Sequence, residues 1–266
     1  MNSFCVYGLS TGIIKEGDDL VSIILEKCVS AYIGELQDRD IIVIAESALA
    51  TAEGAVVDLS TVAPSTEAIK FAEQYSIDPR IAEVTIRESD TIVGGIPGFL
   101  LCMKNGTLLP NAGIDGSNAP PGKVVLLPKD ADTSAENIRI EVLRRTKKNI
   151  GVIIADSRTH AMRLGCSGVA IGCSGIPGVI DERGRVDLFG RTLEVTERAV
   201  GDCIASACEL VMGECDECTP VALVRGFEFE ITEEKGVKGI DASECLFMGA
   251  ALHADPSLFN RENKTR

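Results

Sequence analysis

The chain has no tryptophan, and aromatic residues make up only 4% of its 266 residues. Stacking platforms for single-stranded nucleic acid are hard to build from so few rings. Histidine is scarce too: His160 and His253 are the only two. Neither stands at metal-motif spacing to the one CxxC, Cys215–Cys218, and no Ser-His-Asp or Cys-His signature is visible. Basic residues are outnumbered, 26 Lys and Arg against 40 Asp and Glu, for a formal net charge of −14. An acidic surface attracts neither a nucleic-acid backbone nor an anionic membrane, so neither is expected as a partner. No apolar run reaches membrane-spanning length, and MNSFCVYGLS lacks the basic-then-apolar plan of a secretory signal. The ten cysteines are scattered irregularly, unlike a compact disulfide scaffold. Free thiols and a cytoplasmic location are the expectation.

What is present is ordinary globular material, 45% apolar and 25% charged. The length suits one large domain or two small ones. We expect one domain over residues 1–258, built as a single body or as two closely packed lobes, and a loose polar tail at 259–266. DDLVSIILEKCVSAY opens with two acids and sets Leu20, Ile23, Ile24, Cys28 and Ala31 on one helical face. IIVIA and GVIIADSR read as buried strands, the second carrying Asp156 at its C-terminal end. The small, polar ESALATAEGA follows the first. Residues 65–89 predict two helices broken at Asp78-Pro79, with Ser65 as cap. KVVLLP and PVALVRG are further strands. DTSAENIRIEVLRRTKKN is a helix capped by Thr133 or Ser134. RTLEVTERAVGDCIASACELVMGE predicts one long helix with Val195, Ala199, Cys203, Ala207 and Val211 as a stripe open to close backbone approach. Strands and helices mix without a regular βαβ repeat, which gives an α+β class.

Three carboxylates stand out by location: Asp115 in the loop NAGIDGSN, Asp156 at a strand end and Glu214 where the long helix gives out. Hard divalent cations that serve phosphate chemistry take one or two carboxylates plus substrate phosphates, and acids on loops and strand ends can converge for that. Taken singly, each reads first as an ordinary turn or capping residue. Residues 156–191 combine many glycines with Arg158, Arg163, Arg183, Arg185 and Arg191, a composition suited to anions or to a solvated glycine-rich hairpin. His160, beside these arginines, is a candidate anion contact or base, or an ordinary hydrogen-bonded histidine.

Taken in order, GLSTGIIKEGDDL, NAGIDGSN, GVIIADSR…R.G..GVAIG, DLFGR.LEVT and LVMGE…PVALVRG resemble the coenzyme F420-0:L-glutamate ligases, or gamma-glutamyl ligases, from about Gly8 to Gly226. The resemblance implies an α+β ligase fold, an intertwined homodimer, and GTP-dependent addition of L-glutamate to F420-0. It implies a divalent cation, Mn²⁺ or Mg²⁺, with K⁺ as a further candidate. It carries metal ligation onto Asp115, Asp156, Ser157 and Glu214, three of them catalytic carboxylates. It carries GTP contact onto Thr11, Gly12, Ile13, Ile14, Ser47, Asn118, Met212 and Gly213. Arg163, Arg185 and Arg191 are our candidates for holding the acceptor's phosphodiester and carboxylates. Three places depart from the family pattern: Thr51 stands for a lysine, Thr159-His160 for a Gly-Arg pair, and CDEC for a glycine-rich turn. Two alternatives therefore stand beside the main reading: the same chemistry on another carboxylate acceptor or with another nucleotide, and a non-catalytic nucleotide- and metal-binding paralogue.

Overall fold

The structure, a computed structural model, describes residues 3–31 and 33–251. The expected end of the domain at 258, the tail at 259–266 and His253 lie outside the described residues. The centre is a five-stranded sheet in the order β1 (Cys5–Leu9), β12 (Val221–Arg225), β2 (Ile41–Ala45), β8 (Gly151–Thr159) and β9 (Cys166–Ser174). Only β2 and β8 run parallel; the other neighbours are antiparallel. Ile41 to Ile44 are each completely buried, because the sheet is covered on both faces. Successive side chains alternate between those faces. Ile42 and Ile44 join Leu20, Ile24 and Val142 under α1 (Leu20–Ser30) and α5 (Ala131–Thr146). Ile41 and Val43 join Ile204, Ala205 and Cys208 of α6 (Val200–Met212) on the other side. Helix α6 lies close on β9: a Cβ on Gly168 would sit 2.6 Å from the carbonyl oxygen of Ala205, so only glycine fits there.

A smaller three-stranded sheet, β4 (Thr91–Ile96), β5 (Phe99–Lys104) and β6 (Thr107–Pro110), packs on α3 (Thr66–Tyr75) and α4 (Pro79–Glu88). A short pair, β3 (Val56–Asp58) with β7 (Lys123–Val125), links the two parts. The remaining elements are α2 (Glu46–Ala52), β10 (Ile180–Asp181) paired with β11 (Glu197–Arg198), and α7 (Leu246–Ala251). The fold is α+β. Among the described residues no helix is long and apolar enough to cross a membrane.

Helix starts follow capping chemistry. Asp19, Ser65 and Asp78 each accept a hydrogen bond from a backbone N–H of the first turn, and Pro79 takes the first helical position of α4. Three expectations need correction. The cap of α5 is Asp130, which accepts from the N–H and the hydroxyl of Thr133, so that helix begins upstream of Thr133 and Ser134. Helix α6 starts only at Val200, and Val195 is exposed. Its packed stripe is Val200, Ile204, Cys208 and Met212, beside the expected one, because these bulkier side chains bury more apolar area. Asp156 lies inside β8, since the strand continues to Thr159 by pairing with β9. ESALATA, for which the sequence predicts no element, is helix α2.

Candidate active site

A cavity of about 520 Å³ opens beside the central sheet. Its wall is made by residues 12–14 after β1, the start of α2, the loop 109–118, residues 155–158 of β8, the end of α6 and the segment 212–220. Asp115 reaches it from a loop anchored at both ends. Asn111 accepts the N–H of Leu100, and Asp115 exchanges two backbone hydrogen bonds with Val125. Asn111, Ala112 and Asn118 all have left-handed backbone, with φ of 49°, 55° and 53°, so the chain coils tightly around the aspartate. The carboxylate accepts the N–H of Ser117 at 2.6 Å, so Asp115 forms the turn and faces the cavity as well.

The β8–β9 ladder shifts register between Ile154 and Ala155, with Ile171 of β9 as the extra residue. Past that bulge, both Asp156 and its neighbour Ser157 line the cavity wall. Arg158, on the same face as Asp156, donates to its carboxylate at 2.7 Å. Glu214 follows the end of α6 at Gly213, whose φ is 75°. Glu217 folds back on this turn and accepts the N–H of Cys215, its carboxylate lying against Gly213, where the positive φ favours glycine.

Seven acids line the cavity (Glu46, Asp115, Asp156, Glu209, Glu214, Asp216 and Glu217) against a single base, Arg158. Their mutual repulsion is visible in their proton affinities. Burial pushes the Glu46 carboxyl up to about 8, with the charges of Asp156 and Asp115 adding to the shift. Burial also raises Asp156; Arg158 opposes that shift, while Asp115 and Glu214 reinforce it. Glu209 is pushed up to about 7 by burial and by its hydrogen bond and charge contact with Glu214. The three carboxylates selected from the sequence thus share one electrostatic neighbourhood.

Gly12, Ile13, Ile14, Ser47, Asn118, Met212 and Gly213 all line the same cavity, as does Thr51. Thr11 does not; its N–H donates to the carbonyl of Cys218 at 3.1 Å and ties the exit of β1 to the CDEC segment. Thr159 and His160 stand away from the cavity wall, and His160 Nε2 lies 2.5 Å from the Ser167 hydroxyl across the β8–β9 hairpin. Of the arginines in 156–191, only Arg158 lines the cavity. Arg183 pairs with Asp181, Arg185 with Glu182 and Arg191 with Asp187, all within a few residues. Arg163, like Arg185 and Arg191, is not brought to the cavity. Glu46 and Glu209 were missed because helical acids usually face water. The available signal for Glu46 was its place directly after a fully apolar strand, the same kind of position as Asp156.

The cavity thus collects acids from separated segments of an α+β framework. The chain belongs to the F420-0:gamma-glutamyl ligase family: the model of that family matches residues 8–226, which include every segment of the cavity wall. It is 42% identical over 224 residues to the coenzyme F420:L-glutamate ligase of Methanopyrus kandleri, covering 84% of this chain and 86% of that one. The Methanocaldococcus jannaschii protein of the same name is 41% identical over 232 residues, 87% and 91% of the two chains. That of Archaeoglobus fulgidus is 38% identical over 223 residues, 84% and 86%.

Proposed function

We propose that this protein joins L-glutamate to coenzyme F420-0 through gamma-glutamyl amide bonds, consuming GTP. The observation that carries the reading is the convergence of Asp115, Asp156 and Glu214 from three separate elements on one cavity inside the family-matched span. A carboxylate does not condense with an amine in water unless it is activated. Transfer of the γ-phosphoryl group of GTP to the acceptor carboxylate gives an acyl phosphate and GDP. The glutamate amine attacks that carbonyl, the amide forms, and phosphate leaves with release of the amine proton. No protein nucleophile is required. Residues 12–14, Ser47, Asn118 and 212–213 form the wall against which the nucleotide would lie.

The donor set suits a hard divalent cation, Mn²⁺ or Mg²⁺. It is made of oxygens, and burial raises Glu46 and Asp156, with neighbouring acids adding to the shift. Among the described residues no three His, Cys, Asp or Glu side chains close around a metal position. That suits a cation held by one or two carboxylates and completed by substrate phosphates. One or two of the carboxylates of Asp115, Asp156 and Glu214, with Ser157, would hold it, and when bound it would supply charge neutralisation for phosphate oxygens. K⁺ is a further cation for the same excess of acid. The reading includes a homodimer: Leu188, Phe189 and Val195, with Met162 and Leu164 at the β8–β9 tip, are highly exposed apolar side chains that a second copy would cover. It also includes a location in the cytoplasm.

The test is a mass-spectrometric assay of the purified protein with F420-0, L-glutamate, GTP and Mn²⁺. Product heavier by one or more glutamyl units, lost on omitting GTP or the cation, is the expected result. A second reading is favoured by Thr51, a neutral residue in the wall: the same ligation on another acceptor carboxylate or with another nucleotide. It predicts no product with F420-0 and GTP but product in a screen of other nucleotides and acceptor acids. Metal and nucleotide binding without turnover on any acceptor would instead mark a non-catalytic protein.

A further inference from the structure

Cys215 and Cys218 are both free, both exposed and both in the wall of the cavity, and the ligation chemistry uses neither. They flank Asp216 and Glu217 on a sharply bent segment. The backbone bends at residues 214–216, the N–H of Cys215 is held by Glu217 two residues on, and Cys218 takes left-handed backbone with φ of 50°. A disulfide needs Cα atoms about 4.4–6.8 Å apart, and the bend at 214–216 with the left-handed backbone at Cys218 folds the two-residue spacer between the thiols. The segment is joined to the machinery on both sides. Glu214 is the neighbour of Cys215, and the carbonyl of Cys218 holds the N–H of Thr11 next to wall residues 12–14.

We propose that Cys215 and Cys218 form a reversible dithiol–disulfide site built into the cavity wall, and that closing it withdraws Glu214 and loosens the nucleotide wall. The co-reactant is a small-molecule disulfide. One thiolate of the pair attacks a sulfur of that disulfide, forming a mixed disulfide and releasing one small thiol. The second thiolate attacks the protein sulfur of the mixed disulfide, the Cys215–Cys218 bond forms, and the second small thiol leaves. Two electrons and two protons pass from the protein dithiol to the oxidant. The seven acids of the wall repel anionic oxidants, so a cationic disulfide reacts faster than an anionic one. The existence of the site is independent of the ligase reading; its effect on cation and nucleotide binding rests on that reading.

The reduced full-length protein is treated with cystamine or, separately, with oxidised glutathione. Remaining thiols are alkylated, and disulfides are mapped by peptide mass spectrometry. The exposed Cys5 and Cys203, outside the cavity wall, report that the oxidant has acted. The expected result is a Cys215–Cys218 crosslink, formed faster with cystamine and reversed by dithiothreitol. Mn²⁺ affinity in the presence of GTP should weaken about tenfold on oxidation. In Cys215→Ser and Cys218→Ser the ratio of oxidised to reduced affinity should return to one. Complete alkylation of both thiols when Cys5 and Cys203 are already oxidised would overturn the proposal. So would a Cys215 crosslink to Cys166 instead, or an unchanged Mn²⁺ affinity in the crosslinked protein. A crosslink in a protein without turnover in either redox state removes the ligase reading and leaves the dithiol site. Turnover with thiols that never pair does the reverse.

Discussion

Two sets of carboxylates in this molecule show opposite chemistry. On the outer faces of the protein, Asp19 caps α1 and meets Arg145, Glu141 holds Arg144 and Arg145, and Asp181 holds Arg183. Hydrogen bonds keep all three carboxyls at about 2: from the Ser22 hydroxyl and N–H and then Arg145 on Asp19, from Arg144 and Arg145 on Glu141, and from Arg183 on Asp181. Around the cavity, Glu46 and Glu209 are raised to about 8 and about 7 by burial and by other acids. The outer set is locally satisfied and contributes to helix and hairpin stability. The cavity set keeps buried acids beside one another, so that Glu46 and Glu209 hold protons the outer acids have lost; under the proposed function a bound cation would take over that role. Sites tuned for binding are commonly less stable than their surroundings for this reason.

The most forceful way to break the contrast is Asp115→Asn. Turnover in the glutamylation assay should fall by at least about 100-fold, the scale of losing one group from a preorganised charge site. The metal-free protein should melt no lower than wild type, because a repelling charge is gone; a lower melting temperature would make Asp115 a structural acid. Ile24→Ala, in the fully buried core under α1, should do the opposite. Stability drops by about 2–5 kcal/mol in a denaturant melt, with turnover per folded molecule retained.

Titration sharpens the contrast further. Glu46, ordinarily near 4.5, keeps its proton to about 8 in the fold, while the unfolded chain releases it earlier. The unfolded state then binds fewer protons than the folded one, so stability of the metal-free protein falls as pH rises from about 4.5 to about 8. Glu209 acts in the same direction up to about 7. The outer acids contribute stability that is present above their ordinary range, near 3.8 for Asp19, and lost as pH falls towards 2. Melting temperatures of the metal-free protein should therefore peak on the acid side of neutral. Mn²⁺ with GTP should flatten the decline above the peak; a profile rising through pH 8 without metal would contradict the assignment. The smallest effect belongs to Asp19→Ala, a loss of about 1 kcal/mol from one exposed cap, read as a shift in urea midpoint with no change in turnover.

The buried strands were legible because a sheet covered on both faces leaves continuous apolar runs, as in IIVIA and VALVR. Ser65 and Asp78-Pro79 were legible because caps and prolines act locally. Asp115, Asp156 and Glu214 could be selected because none sits within a helix. The limits have physical causes as well. Helix α2 has Ala45 at its N-cap with no side-chain hydrogen bond and runs for only seven residues, so the helix-forming Ala, Leu and Glu of ESALATA stand without a start signal. Glu46 and Glu209 take their importance from tertiary neighbours far away in sequence. The arginines of 156–191 suggested an anion site by composition, yet Arg183, Arg185 and Arg191 each sit within four residues of an acid that holds them. An arginine count says little until its nearest acids are counted too.

The central claim is that the acids of the cavity form one cation-dependent nucleotide site. Its most direct test is a Mn²⁺ titration of the full-length protein, with and without GTP, in wild type and in Asp115→Asn and Asp156→Asn. The account predicts Mn²⁺ binding that tightens with GTP in wild type and weakens at least about tenfold in both variants. Equal affinity in all three proteins, indifferent to GTP, would contradict it.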